Sequence, residues 1–418
     1  MEPLNRRRFL RTTATLAGAT WLTPVGQYLA RAAEKDDEPT AKSVIILWMA
    51  GGPSQLETFD PHEGTTIAGG TTQIKTSVKD LYLAKGLEQV AEEMQSISLI
   101  RSMMSKEGDH ERGTYTVKTG FRPDPTVVYP SLGAVACHEL PVDKTEIPRH
   151  VSILPSQWPA RGGYLGDKYD AFLMHDPAGP VPDTQSFLPK ERDQKRISSL
   201  DVIERTFSRY RQERVKETLH EDTIKAALKM MSSEQLKAFD VSQEPAEVRQ
   251  RYGDTAFGRG CLAARRLIQA GVRCVEVTLN NWDTHANNHQ FVAGNLKILD
   301  PAFAALIRDL RERKLLDKTM VICTGEFGRT PSINPAGGRD HWPNGFSMAL
   351  AGGGIKGGRV IGATDPEGKK EPTGQVHVGD LHATVFSAMG IDYQKINQTS
   401  IGRTVKFSEG NPIEALLS

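Results

Sequence analysis

Two short β-branched runs, Arg273–Leu279 and Met320–Thr324, bracket an amphipathic helix, and no other feature restricts the fold of this chain so narrowly. Both are bounded by polar loops, the pattern of strands buried in a parallel sheet. Between them Asp300 can cap a helix and Pro301 fits its first turn, with Phe303, Leu306, Ile307 and Leu310 on one face. The unit is strand, helix, strand. In open α/β sheets ligands bind beyond the carboxyl ends of strands, so polar residues just past Leu279 and Thr324 stand where a site is expected.

Such residues are present. Asn281-Trp282-Asp283-Thr284-His285 follows the first run, Gly325-Glu326-Phe327-Gly328-Arg329-Thr330 the second, and Arg339-Asp340-His341-Trp342-Pro343 comes soon after. Carboxylate and imidazole on loops held by a rigid sheet are what a divalent-metal site needs. Asp283 and His285 are candidate ligands, or else an Asp-x-His turn with an ordinary hydrogen bond. His341 beside Asp340 is a candidate too, on a loop stiffened by Trp342 and Pro343. Glu326 either ligates or pairs with Arg329, and Arg329 either binds a substrate oxyanion or forms an internal salt bridge.

The remaining chain supplies further sheet. Val44–Met49 is an unbroken apolar run that enters a turn at Gly51-Gly52-Pro53-Ser54, where paired glycines either admit a ligand close to the backbone or simply turn the chain. Ile97–Ile100, Phe346–Ala351 and Val360–Ile361 are further strands. A polar segment, Asp109-His110-Glu111-Arg112-Gly113-Thr114-Tyr115, precedes Thr119-Gly120. Residues 191–252 are highly charged with scattered apolar side chains and contain no glycine, which predicts an inserted set of amphipathic helices. Asp380-Leu381-His382-Ala383-Thr384 opens a short helix ending at Gly390, with Asp380 as cap and His382 as an ordinary helix residue.

The amino terminus carries its own signal. Asn5-Arg6-Arg7-Arg8-Phe9-Leu10-Arg11, a weakly apolar stretch to Gly26 and Ala30-Arg31-Ala32 read as a twin-arginine export signal over residues 1–32, followed by a polar lead-in at 33–42 and a main domain at 43–418. The expected location is periplasmic or otherwise exported, with the twin-arginine machinery as partner. The stretch is too short and threonine-rich for a stable transmembrane span. The signal holds five arginines against one glutamate, so the net charge of +1 leaves about −3 beyond it, and no nucleic-acid partner is expected. Cys137, Cys261, Cys274 and Cys323 form no C-x-x-C pair and read as buried thiols, with a disulfide left open by export.

Taken in order, Gly-Gly-Pro-Ser after the first strand, Trp-Asp-Thr-His, Glu-Phe-Gly-Arg-Thr-Pro, Asp-His-Trp-Pro and Asp-Leu-His-Ala-Thr resemble the exported DUF1501 family, grouped with the alkaline phosphatase and sulfatase superfamily. The resemblance spans about Ser43 to Asp392. It implies an α/β fold with an alkaline-phosphatase-like, mostly parallel central sheet, helices on both faces and the helical insertion. It also implies a divalent metal (Zn, Mn, Mg or Ca) held by Asp283, His285 and His341, with Glu326 and Asp340 as further ligands.

The resemblance departs from the superfamily elsewhere. Phe327 stands where a ligating histidine is expected, and the aspartate after the first strand falls near Gly51, leaving Ser54, Glu57 or Asp60 as substitutes. Aligning Thr119-Gly120 with the sulfatase pattern puts His110 at the nucleophile, as base or covalent nucleophile. The implied activity is hydrolysis of a phosphate or sulfate ester of a small molecule or glycan, with Arg329 neutralising the ester oxygens. The competing expectation is a non-catalytic binding or assembly protein that keeps the fold.

Overall fold

The run Ser43–Met49 forms β1, the centre of a nine-stranded sheet. The computed structural model describes residues 41–141, 144–181, 184–209 and 220–418; the expected export signal at 1–32 and most of the lead-in at 33–42 lie outside them. The other strands are β2 (Ile97–Met104), β3 (His150–Ile153), β4 (Phe172–Met174), β5 (Cys274–Leu279), β6 (Thr319–Thr324), β7 (Phe346–Ala351), β8 (Val360–Ile361) and β9 (Val376–His377). Their order is β8-β2-β7-β6-β1-β5-β3-β4, with β9 also paired to β2. Only β7 runs against the rest, antiparallel to β2 and β6. The fold is therefore α/β around a mostly parallel sheet.

β1 sets the register of the site. Val44 pairs with Cys274 and Met320, and Trp48 with Thr278 and Thr324, so the carboxyl ends of β1, β5 and β6 finish level. The helices are α1 (Glu88–Glu92), α2 (His110–Thr119), α3 (Leu132–Glu139), α4 (Lys190–Ser208), α5 (His220–Met231), α6 (Ala246–Arg251), α7 (Ala256–Gln269), α8 (Asn288–Glu312) and α9 (Val378–Ala388). Alternate strand residues feed two cores. Ile45, Leu47, Val275, Val277 and Val321 pack with Leu262 and Leu267 of α7 and Phe303 and Leu306 of α8. Val44, Trp48, Cys274 and Ile322 face the other way, onto Val117 of α2, Leu132 of α3 and Phe386 of α9. Helices thus cover both faces.

The structure corrects the helix expected to begin at Asp300. α8 starts at Asn288 and contains Pro301 in its interior. A helix-interior proline costs about 3 kcal/mol. Val292, Leu296 and Leu299 extend the buried stripe of Phe303, Leu306 and Leu310 backwards at alternating steps of four and three. Each such side chain buried is worth roughly 1.5–3 kcal/mol, so the stripe outweighs the proline. Asp300 caps a different helix: its carboxylate accepts from Gln89 N (3.1 Å) and Val90 N (2.8 Å) in the first turn of α1. Asp380 sits at the third position of α9, not at its cap, and accepts from His377 N at 2.9 Å.

All four cysteines are buried and free. Among the described residues no helix is long and apolar enough to cross a membrane.

Candidate metal centre

Backbone geometry at the strand ends brings the loops together. Gly51, after β1, has φ 115°, and a Cβ there would lie 2.4 Å from Asp283 N. Only glycine lets the two loops touch, and what its backbone approaches is the neighbouring loop. Gly51 N in turn donates to Glu326 Oε1 at 2.9 Å, tying the end of β1 to the loop after β6. Asn281 bridges β5 to Asp283 in the left-handed region at φ 72°, where asparagine is better tolerated than most residues.

His110 comes from a different direction. Asp109 caps α2 by accepting from Arg112 N at 3.1 Å, and His110 occupies the first turn. Its Nδ1 lies 2.7 Å from Glu326 Oε1, and its Nε2 lies 3.3 Å from Asp283 Oδ2. That Nε2 is buried and has no hydrogen-bond partner. The Glu326 hydrogen bond raises the His110 pKa above its ordinary value, with burial opposing it.

The other two imidazoles repeat the arrangement. His285 Nδ1 is 2.7 Å from Asp340 Oδ1, and His341 Nδ1 is 2.7 Å from Gly108 O. A carbonyl and an ionised carboxylate only accept, so both Nδ1 atoms carry the hydrogen, and in the neutral rings both Nε2 atoms present lone pairs. Hydrogen bonding from His285 holds the Asp340 carboxyl below its ordinary value, consistent with ionisation. The two Nε2 atoms face each other at 3.0 Å. Like lone pairs at that distance repel, and a cation between them, a proton or a metal ion, removes the conflict. Burial lowers the His341 pKa, with Gly108 O opposing.

Asp283 completes the set. Its Oδ1 is 3.1 Å from His285 Nε2 and 3.4 Å from His341 Nε2. Two ligands at roughly 2.0–2.1 Å from a tetrahedral ion stand about 3.3 Å apart, so these separations suit a shared ion. His110, Asp283 and His341 offer ligand atoms within 4.8 Å of one another. Burial works against ionisation of Asp283, but Arg329, with His110 and His285, outweighs it and holds the carboxyl below its ordinary value.

Several expected roles look different in this geometry. Glu326 and Asp340, expected as ligands, stand behind the rings of His110 and His285. His110, expected as nucleophile or base, turns its free nitrogen toward Asp283, into the same space as the candidate ligands. Arg329, expected to receive substrate oxygens, is fully buried. It donates from Nε to Gly52 O (2.9 Å), from Nη1 to Arg339 O (3.0 Å), and from Nη2 to Gly51 O and to Asp283 Oδ1 (2.6 Å). Four of its five donors are spent on the protein.

Of the substitutes after β1, Glu57 and Asp60 have other partners. Glu57 pairs with the buried Arg339 at 2.8 Å, Asp60 with Arg101 at 3.2 Å, and the Ser54 hydroxyl is buried without a partner. His382 is buried in α9 with Nε2 2.9 Å from Val117 O. Two supports carried no sequence signal. Gly108 acts through its carbonyl, and Asn334 donates to His285 O at 3.0 Å and Asp340 Oδ1 at 3.3 Å.

Residues 41–417 match the family described as "Protein of unknown function (DUF1501)". No curated protein matches in sequence. Among solved structures, the alkaline phosphatase from the Antarctic bacterium TAB5 overlaps 84% of this chain and 99% of its own, at 14% identity and TM-score 0.38. The PsFucS1 sulfatase from Pseudoalteromonas sp. overlaps 93% and 76%, at 11% identity and TM-score 0.41. The lipoteichoic acid synthase LtaP from Listeria monocytogenes overlaps 89% and 75%, at 10% identity and TM-score 0.40. Similarity this low does not carry chemistry from one chain to another.

Proposed function

The chain belongs to the DUF1501 family, and from that premise we propose a metal-dependent hydrolase of phosphate or sulfate esters. One observation carries the reading: three imidazoles, each anchored at Nδ1 by an acceptor, turn Nε2 toward one carboxylate. Anchoring of this kind fixes the tautomer and aim of metal-binding histidines and raises their basicity. His110, His285, His341 and Asp283 would hold the ion. Three nitrogens and one oxygen suit zinc-class ions better than magnesium or calcium, which prefer all-oxygen sets.

A divalent ion held by these residues would supply Lewis acidity to an ester oxygen and lower the pKa of a bound water toward neutrality. The protein's own groups aim it. Arg329 fixes Asp283, Glu326 fixes His110, and Asp340 with Asn334 fixes His285. Half-exposed His285 and Asp283 leave one side open to an ester.

A second reading keeps His110 as general base, because a Glu-His pair with a raised pKa is also how a base is prepared. Metal content separates the two. Protein purified without an affinity tag should carry close to one zinc-class ion by elemental analysis, and His341→Ala and His110→Ala should each lower that content. Full metal content in His110→Ala, with turnover down at least about 100-fold, would establish the base instead. Aryl phosphate and sulfate esters assayed with Zn²⁺, Mn²⁺, Mg²⁺ and Ca²⁺ test the hydrolysis. Inactivity of metal-loaded wild type across that panel favours a non-catalytic binding protein.

A further inference from the structure

A cavity of about 270 Å³ runs beside α2. Glu111, Thr114, Tyr115 and Lys118 line it at i, i+3, i+4 and i+7, one face of the helix that begins with His110. Gln157 and Trp158, on the loop beyond the carboxyl end of β3, form the opposite wall. Glu111 is exposed and Lys118 buried, so the cavity deepens along the helix, over about 10 Å by helical rise. At its outer end stands Glu111, which follows His110 in the first turn of α2.

The deep end is polar but neutral in sum. Lys118 Nζ donates to Glu276 Oε1 at 2.8 Å and to Trp158 O at 2.9 Å, and lies 4.8 Å from the centre of the Trp48 ring. Two of its three hydrogens are thereby used. A smaller space of about 20 Å³ shares Lys118 and Ser131 with the first and reaches Glu276. That is room for one hydroxyl-sized group. Glu276 Oε2 is buried there without a hydrogen-bond partner, a condition that costs roughly 1–3 kcal/mol until a donor reaches it.

We propose that this cavity binds an uncharged polyhydroxylated ring, a sugar or comparable polyol, as the alcohol part of the ester. Tyr115 and Trp158 offer aromatic faces to the C–H side of such a ring, and Gln157 and the Lys118–Glu276 pair offer donors and acceptors to its hydroxyls. A plain hydrocarbon would leave the buried pair and its free oxygen unsatisfied. At the entrance the exposed Glu111 and Arg161 both line the cavity, so its mouth is balanced in charge too and gives a second anionic group no net attraction. The inference rests on the hydrolase reading for the placement of the ester, but sugar binding can be measured without it.

The test is calorimetric titration of metal-chelated full-length protein with methyl glycosides and inositols, repeated with Trp158→Ala and Gln157→Ala. Saturable binding of at least one of these, weakened about tenfold or more by either substitution, is expected. Absence of binding by the whole panel, binding indifferent to both substitutions, or binding only of an apolar ring such as naphthol overturns the proposal. Sugar binding without any ester cleavage would refute the hydrolase reading alone. Cleavage of small aryl esters without sugar binding would refute this inference alone.

Discussion

Glu326 binds both His110 Nδ1 and Gly51 N through a single oxygen, so Glu326→Gln is a narrow test of what it does. The amide oxygen can still accept both bonds while the charge behind the imidazole is lost. If Glu326 aims a ligand without being one, metal affinity should fall about 10–100-fold with the fold intact, as read by competition with a chelator and by circular dichroism. Complete loss of binding would make Glu326 a ligand after all. The sequence offered Asp283, His285 and His341 as candidates because each follows a strand end or lies in a polar cluster beyond one. It could not sort ligand from support, because that depends on which ring nitrogen faces which acceptor. Gly108 O and Glu326 meet the rings from loops far apart in the chain. Arg329 was ambiguous for a related reason: a guanidinium suits an oxyanion or a set of carbonyls equally, and only its burial against Gly51, Gly52 and Arg339 decides.

At the level of elements, the strands were legible wherever burial on both faces produced an unbroken apolar run, as in β1, β5, β6 and β7. α8 was legible in its second half and misread in its first, because the Asp300-Pro301 pair imitates a helix start. The imitation has a use. Asp300 gives α1 the cap that its own preceding residue, Leu87, does not supply. Asp300→Ala should therefore destabilise the fold by about 1 kcal/mol, the usual size of a lost cap, seen as a lower urea midpoint. Were Asp300 instead the start of its own helix, the loss of order in hydrogen exchange would centre on residues 301–304. Faster exchange at Gln89 and Val90 is the expected result.

For the molecule as a whole, the sequence also predicts a route. Arg6 and Arg7 precede Phe9-Leu10 at the offset of a twin-arginine signal, and lysine cannot reproduce the planar donor geometry of a guanidinium. The Arg6→Lys, Arg7→Lys double variant should remain in the cytoplasm at full length, as judged by fractionation. Export at the wild-type level would dismiss the signal. Global stability should also depend on pH through His382, which lies buried between α9 and the end of α2. Burial lowers its pKa from 6.5 to about 4, with Val117 O opposing. Between those values the unfolded chain takes up a proton that the folded one does not, so stability falls as pH drops from about 6.5 and the loss is complete near pH 4. It amounts to roughly 3 kcal/mol for this one group. His382→Gln keeps a donor for Val117 O and removes the titration. In urea unfolding of chelated protein, the stability advantage of wild type over this variant should be largest at pH 7 and shrink steadily toward pH 4. A gap that stays constant would mean that His382 takes up its proton over the same pH range folded and unfolded, so that burial does not depress its pKa.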